Sequence, residues 1–130
     1  MKRQTNFKIE QRDDICILEI SGRLASGADS ENMEIQAREI KNLGCRKLIV
    51  DISKLDSIGS AGIGFFADLY TSATKNGGRF VLIAPSPHVL EVLTLTGLST
   101  VFAIVADLAA GLALCALDAS KARPAGSYFG

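Results

Sequence analysis

The chain has 130 residues, with 14 Lys+Arg against 14 Asp+Glu and 48% hydrophobic residues. That length is one ordinary domain, able to close a core without metals or disulfides. Zero net charge without a basic cluster excludes a nucleic-acid binder that works by neutralising phosphates, and the apolar content excludes a disordered chain. The charges are unevenly spread. Residues 57–117 hold only five: Asp68, Lys75, Arg79, Glu91 and Asp107. This stretch is expected to supply much of the core.

Residues 1–14 are charged and lack an apolar stretch, so no secretory signal is expected. Residues 101–117 are apolar, but too short for the ~20 residues of a membrane span and interrupted by Asp107. Neither a membrane nor a nucleic-acid partner is expected. Cys16, Cys45 and Cys115 are far apart, odd in number and not in CxxC spacing. They are expected as separate buried thiols, which suits a cytoplasmic location.

Residues 7–12 alternate apolar and polar, and residues 15–21 (ICILEIS) form a stronger strand ending at Gly22. The two-residue Asp13-Asp14 connection predicts a hairpin. Asp29, Ser30 and Glu31 offer a helix start, and Met33, Ala37, Ile40 and Gly44 follow at helical spacing. Residues 46–52 read as a buried central strand. Residues 53–60 read as a loop. A second helix carries Ile63, Phe66, Ala67, Tyr70 and Ala73 on one face and stops at Gly77-Gly78. Residues 79–84 form another buried strand. A short helix around Val89, Val92, Leu93 and Thr96 is stopped by Gly97. Residues 101–105 form a last strand, and Asp107 caps a final helix. Residues 1–117 are expected to be one domain and residues 118–130 a flexible tail. The order β-β-α-β-α-β-α-β-α implies an α/β fold, a mostly parallel mixed sheet with helices packed against it.

Residues 55–64, LDSIGSAGIG, could carry chemistry. Three glycines and a serine stand at a helix mouth, where unpaired amides and the helix dipole favour an anion. Gly62, Gly64 and Ala67 fit G-x-G-x-x-A, but they lie far beyond the strand end, and no acidic residue closes the next strand. A serine hydrolase would need Ser60, the lone His88 and an acid such as Asp51 or Asp56, and G-x-S-x-G is absent. No residues have metal-ligand spacing, and no cofactor is implied. The third reading makes Ser60 a helix cap that can also be phosphorylated, adding about −2 charge without unfolding the helix. Phe66 is favoured inside. Ile58 and Ile63 fit either an apolar contact surface or the core.

Residues 7–117 resemble a STAS domain, in particular the bacterial anti-sigma-factor antagonists. The resemblance rests on residues 20–24 (ISGRL), 48–53 (LIVDIS) and 58–64 (IGSAGIG). Gly77-Gly78-Arg79 and residues 89–102 add to it. It implies a non-enzymatic regulator of transcription. Such a protein binds a partner that is both anti-sigma factor and serine kinase, and phosphorylation of the serine at the helix mouth blocks that binding. The matching serine here is Ser60, and the implied contact surface is Asp56, Ser57, Ile58, Gly59, Ser60, Ala61, Gly62 and Ile63. Two positions depart from the family. Its acid before the serine is Gly59 here, and its Gly-Glu-Leu-Asp reads Gly22-Arg-Leu-Ala25. The family also includes stressosome-like scaffolds, ligand-sensing modules and transporter-associated domains. A homodimer or an assembly of STAS domains is compatible with the resemblance.

Overall fold

The computed structural model of the chain describes residues 5–24, 29–75 and 77–121. Strand β1 (Asn6–Arg12) and strand β2 (Ile15–Leu24) form the expected hairpin, with Arg12 opposite Ile15. Asp13 makes the turn at φ +55°, a left-handed conformation that a short polar side chain tolerates. Strand β3 (Lys47–Ile58) lies parallel to β2, β4 (Arg79–Ile83) parallel to β3, and β5 (Ala103–Val105) parallel to β4. The sheet order follows the chain, β1-β2-β3-β4-β5. Between the strands run helices α1 (Ser30–Leu43), α2 (Ser60–Lys75) and α3 (Pro87–Leu95), a 3-10 turn (Leu98–Thr100), and finally α4 (Leu108–Lys121).

The pleat sorts the central strands into two cores. Leu48, Val50, Ile52, Phe80 and Leu82 meet Met33 and Ile40 of α1, Phe65, Phe66 and Leu69 of α2, and Val89 and Leu93 of α3. The alternate residues Ile17, Ile49, Val81 and Ile83 meet Cys115 of α4 on the other face. Helix ends follow their residue chemistry. Gly44 ends α1 at φ +71°, the Ser86 hydroxyl accepts from the Val89 amide at 3.3 Å, and Asp107 Oδ1 accepts from the Ala110 amide at 2.9 Å.

Four expectations change. Residues 53–58 are not a loop: β3 continues to Ile58, and β2 continues through Gly22 to Leu24, which pairs with Ile58. Gly22 takes φ +95°, and register shifts on either side let the strand pass it. Second, Cys16 and Cys45 are joined in a disulfide, with Cα atoms 5.7 Å apart, while Cys115 is buried in the α4 core. The spacing of 29 residues conceals this pairing. Parallel β2 and β3 begin side by side, and the left-handed turn at Gly44 returns the chain to the start of β2. Third, the last strand is shorter, because the 3-10 turn precedes it. Fourth, α4 continues to Lys121, past the end of the apolar periodicity. Residues 122–130 and Ala25 lie outside the described residues. Among the described residues, no helix is long and apolar enough to cross a membrane.

Candidate functional site at the β3–α2 junction

The extension of β3 reduces the strand-to-helix connection to one residue, Gly59. Its amide donates to the Leu24 carbonyl at 3.0 Å, and its own carbonyl accepts from the Ile63 amide at 3.0 Å. Gly59 therefore occupies the N-cap position, and Ser60 is the first residue of α2. This corrects the expectation that the Ser60 hydroxyl caps the helix: it makes no hydrogen bond to the described residues, and Ser60 is exposed. The amides of Ser60, Ala61 and Gly62 precede the first intrahelical bond and stand at the positive end of the helix dipole.

Gly62 locks the junction. A Cβ there would come within 2.6 Å of the Leu24 carbonyl oxygen and of Ile58 Cγ1. Gly64 faces open space. Of the two glycines, only Gly62 is required by close packing. Phe65 packs edge-on against Phe7 of β1, with ring centroids 6.1 Å apart, and fixes the first turns of α2 on the sheet. Phe65 and Phe66 are both buried, so Phe66 is inside as expected.

The site residues divide by burial. Asp56 and Ser60 are exposed, and Ser57, Gly59, Ala61 and Ile63 are half-buried. Ile58 and Gly62 are buried, and Ile63 packs against the main core. Asp51 is held within its own strand, where Oδ1 accepts from the Ser53 amide at 3.0 Å and the Ser53 hydroxyl at 2.8 Å. His88 is exposed in the first turn of α3, and no hydrogen bond joins it to Ser60. No group of three or more His, Cys, Asp or Glu that could hold a metal occurs among the described residues.

Sequence reasoning missed two acids. Glu34 of α1 and Asp68 of α2 line a shallow depression of about 260 Å³ with Ala61, Gly64 and Phe65. Ser60, Gly64 and Asp68 recur every fourth residue, which places them on one stripe of α2. That spacing is visible in the sequence, whereas the approach of Glu34 is a product of helix packing.

The fold and sequence both have relatives. A Thermotoga maritima protein provisionally named an anti-sigma factor antagonist is 33% identical over 66 residues, which are 51% of this chain and 58% of that protein. The chain thus spans little more than half the length of that relative. An anti-sigma factor antagonist from Mycobacterium paratuberculosis shares the fold with a TM-score of 0.77 at 22% identity, over 87% of this chain and 95% of that one. SpoIIAA shares it in its unphosphorylated form, with a TM-score of 0.71 at 20% identity over 82% of this chain and 93% of that one. SpoIIAA of Bacillus in its phosphorylated form matches with a TM-score of 0.66 at 19% identity, over 84% and 98%. The STAS domain family model matches residues 6–111. With its mixed five-stranded sheet and four helices, the chain belongs to the STAS domain family.

Proposed function

We propose that this STAS domain is an anti-sigma-factor antagonist. It binds a cytoplasmic partner that is both anti-sigma factor and serine kinase, frees the sigma factor, and is switched off by phosphorylation of Ser60. It performs no catalysis of its own in this reading. The observation that carries it is the position of Ser60: exposed, first in α2, with a hydroxyl engaged in no hydrogen bond to the described residues. A phosphate there would meet the amides of Ala61 and Gly62 and the positive end of the helix dipole, and would add about −2 charge to a neutral chain. The relatives named as antagonists, and the two phosphorylation states in which SpoIIAA is known, support the reading.

The partner surface comprises Asp56, Ser57 and Ser60, with Gly59, Ala61 and the rim of Ile63. Ile58 and Gly62 act from below by holding the junction. Gly59 and Ala25 stand where the family carries its acids, and the acids Glu34 and Asp68 line the depression further along α2, past Ala61 and Gly64.

The test is mass spectrometry after incubation with the cognate kinase and ATP. The expected result is one phosphate, on Ser60. Ser60→Asp should fold and fail to capture the kinase, because a charge enters a desolvated contact, while Ser60→Ala should still capture it. A phosphate mapped elsewhere, or none at all, removes the switch assignment.

A further inference from the structure

Helices α1 and α2 run side by side, and their contact is poorly filled. Only Met33 and Ile40 of α1 are buried, and small residues (Ala37, Gly44, Ser72, Ala73) face the gap. An open cleft of about 560 Å³ results, within the range of small-molecule sites. Ile40, Leu48 and Leu69 form its apolar floor. Three charged side chains line it: Lys41, Arg46 and Asp68.

Cys45 also lines this cleft. It is half-buried, whereas its disulfide partner Cys16 is completely buried. The two half-cystines therefore differ in access: Cys45 borders the open cleft, whereas Cys16 lies in the core. The charges beside it suit a small zwitterion with two carboxylates and one ammonium, its carboxylates meeting Lys41 and Arg46 and its ammonium meeting Asp68.

We propose that this cleft is a docking site for a small peptide thiol of the glutathione class, and that Cys45 is the sulfur it attacks. The incoming thiol loses its proton, and its thiolate attacks Cys45 Sγ. A mixed disulfide forms on Cys45 as the Cys16–Cys45 bond breaks, and Cys16 leaves as a thiolate that takes up a proton. A second thiol molecule, having lost its proton, then attacks the ligand sulfur of the mixed disulfide; the symmetrical disulfide of the ligand forms, and Cys45 leaves as a thiolate that takes up a proton. Two electrons pass from two ligand thiols to the protein disulfide, so the step balances without another reductant.

Two measurements test this on the full chain. In the first, Cys16→Ser and Cys45→Ser variants are treated with oxidised glutathione and mapped by mass spectrometry. The expected result is one adduct on Cys45 in Cys16→Ser and none on Cys16 in Cys45→Ser. The second measurement does not depend on either cysteine variant folding. The native disulfide is reduced with glutathione or with neutral 2-mercaptoethanol, in wild type and in Lys41→Glu, an exposed position on α1. Reversing that charge should slow glutathione about fivefold at low salt and leave 2-mercaptoethanol unchanged. Equal slowing of both thiols, an adduct on Cys16, or a native chain without the Cys16–Cys45 bond overturns the proposal.

Discussion

Gly62 and Gly64 lie two residues apart in α2 and do different work. A methyl group at 62 would meet the Leu24 carbonyl, which is already held by the Gly59 amide, and the buried Ile58 side chain. The carbonyl cannot retreat without straining the β2–β3 ladder. Gly62→Ala should therefore cost about 1–3 kcal/mol, in the range of an overpacked core. Gly64 meets nothing within 4 Å. Alanine there restricts the unfolded chain and favours the helix, so Gly64→Ala should gain about 0.5–1 kcal/mol. Urea midpoints at unchanged m-value measure both. A Gly62→Ala chain as stable as wild type would show that the junction yields. Ser60 obeys a similar local logic. A lost N-cap typically costs ~1 kcal/mol, but Gly59 holds that position, so Ser60→Ala should stay within about 0.5 kcal/mol of wild type. The residue proposed as the switch is thus free of a structural duty.

At the scale of elements, the helices were legible because each carries its own punctuation. Met33, Ala37 and Ile40 keep helical spacing up to Gly44, and Asp107 caps α4 as its position implies. The strand ends were not legible. Ile52, Leu55 and Ile58 are buried, but they are three residues apart, and a strand pattern repeats every two. Register shifts in the β2–β3 ladder explain the mismatch, and the polar residues between them (Ser53, Lys54, Asp56) imitate a loop. The same extension turns a supposed eight-residue connection into Gly59 alone, which ties the helix mouth directly to the sheet. Leu55 separates the two descriptions. It is 1% exposed, so Leu55→Ala should cost about 2–5 kcal/mol, as for a core leucine. A solvent-exposed leucine would cost less than ~0.5 kcal/mol. The urea midpoint of this one variant decides whether Leu55 is held in the core, as the extension of β3 places it.

The whole molecule is a sheet covered unequally. Its element order could be read from the alternation of strand and helix patterns, and the serine from the family resemblance. The α1–α2 cleft and the approach of Glu34 to the α2 stripe could not, since both arise where separate elements meet. Nor did the sequence reveal how the faces are shared. Three helices cover one face, anchored by Phe65, Phe66, Met33 and Leu93, whereas among the described residues α4 is the one helix that covers Ile17, Ile49, Val81 and Ile83. Of its described side chains only Cys115 is fully buried there, with Leu108, Leu112 and Leu114 partly buried, and Gly111 weakens the helix by ~1 kcal/mol relative to alanine. Opening α4 should thus cost less than unfolding the sheet. In native-state hydrogen exchange, the amides of residues 112–116 should exchange through a sub-global opening, at lower free energy than those of residues 48–52 in β3. Gly111→Ala sharpens the test. Its methyl would sit 3.5 Å from Ile49 Cδ1 and 3.8 Å from Ile83 Cδ1, ordinary packing distances. It should raise the protection of α4 by about 1–2 kcal/mol through helix propensity and the buried methyl, and narrow the gap to β3. Exchange of both segments at one common free energy would instead make α4 part of the same cooperative unit as the sheet.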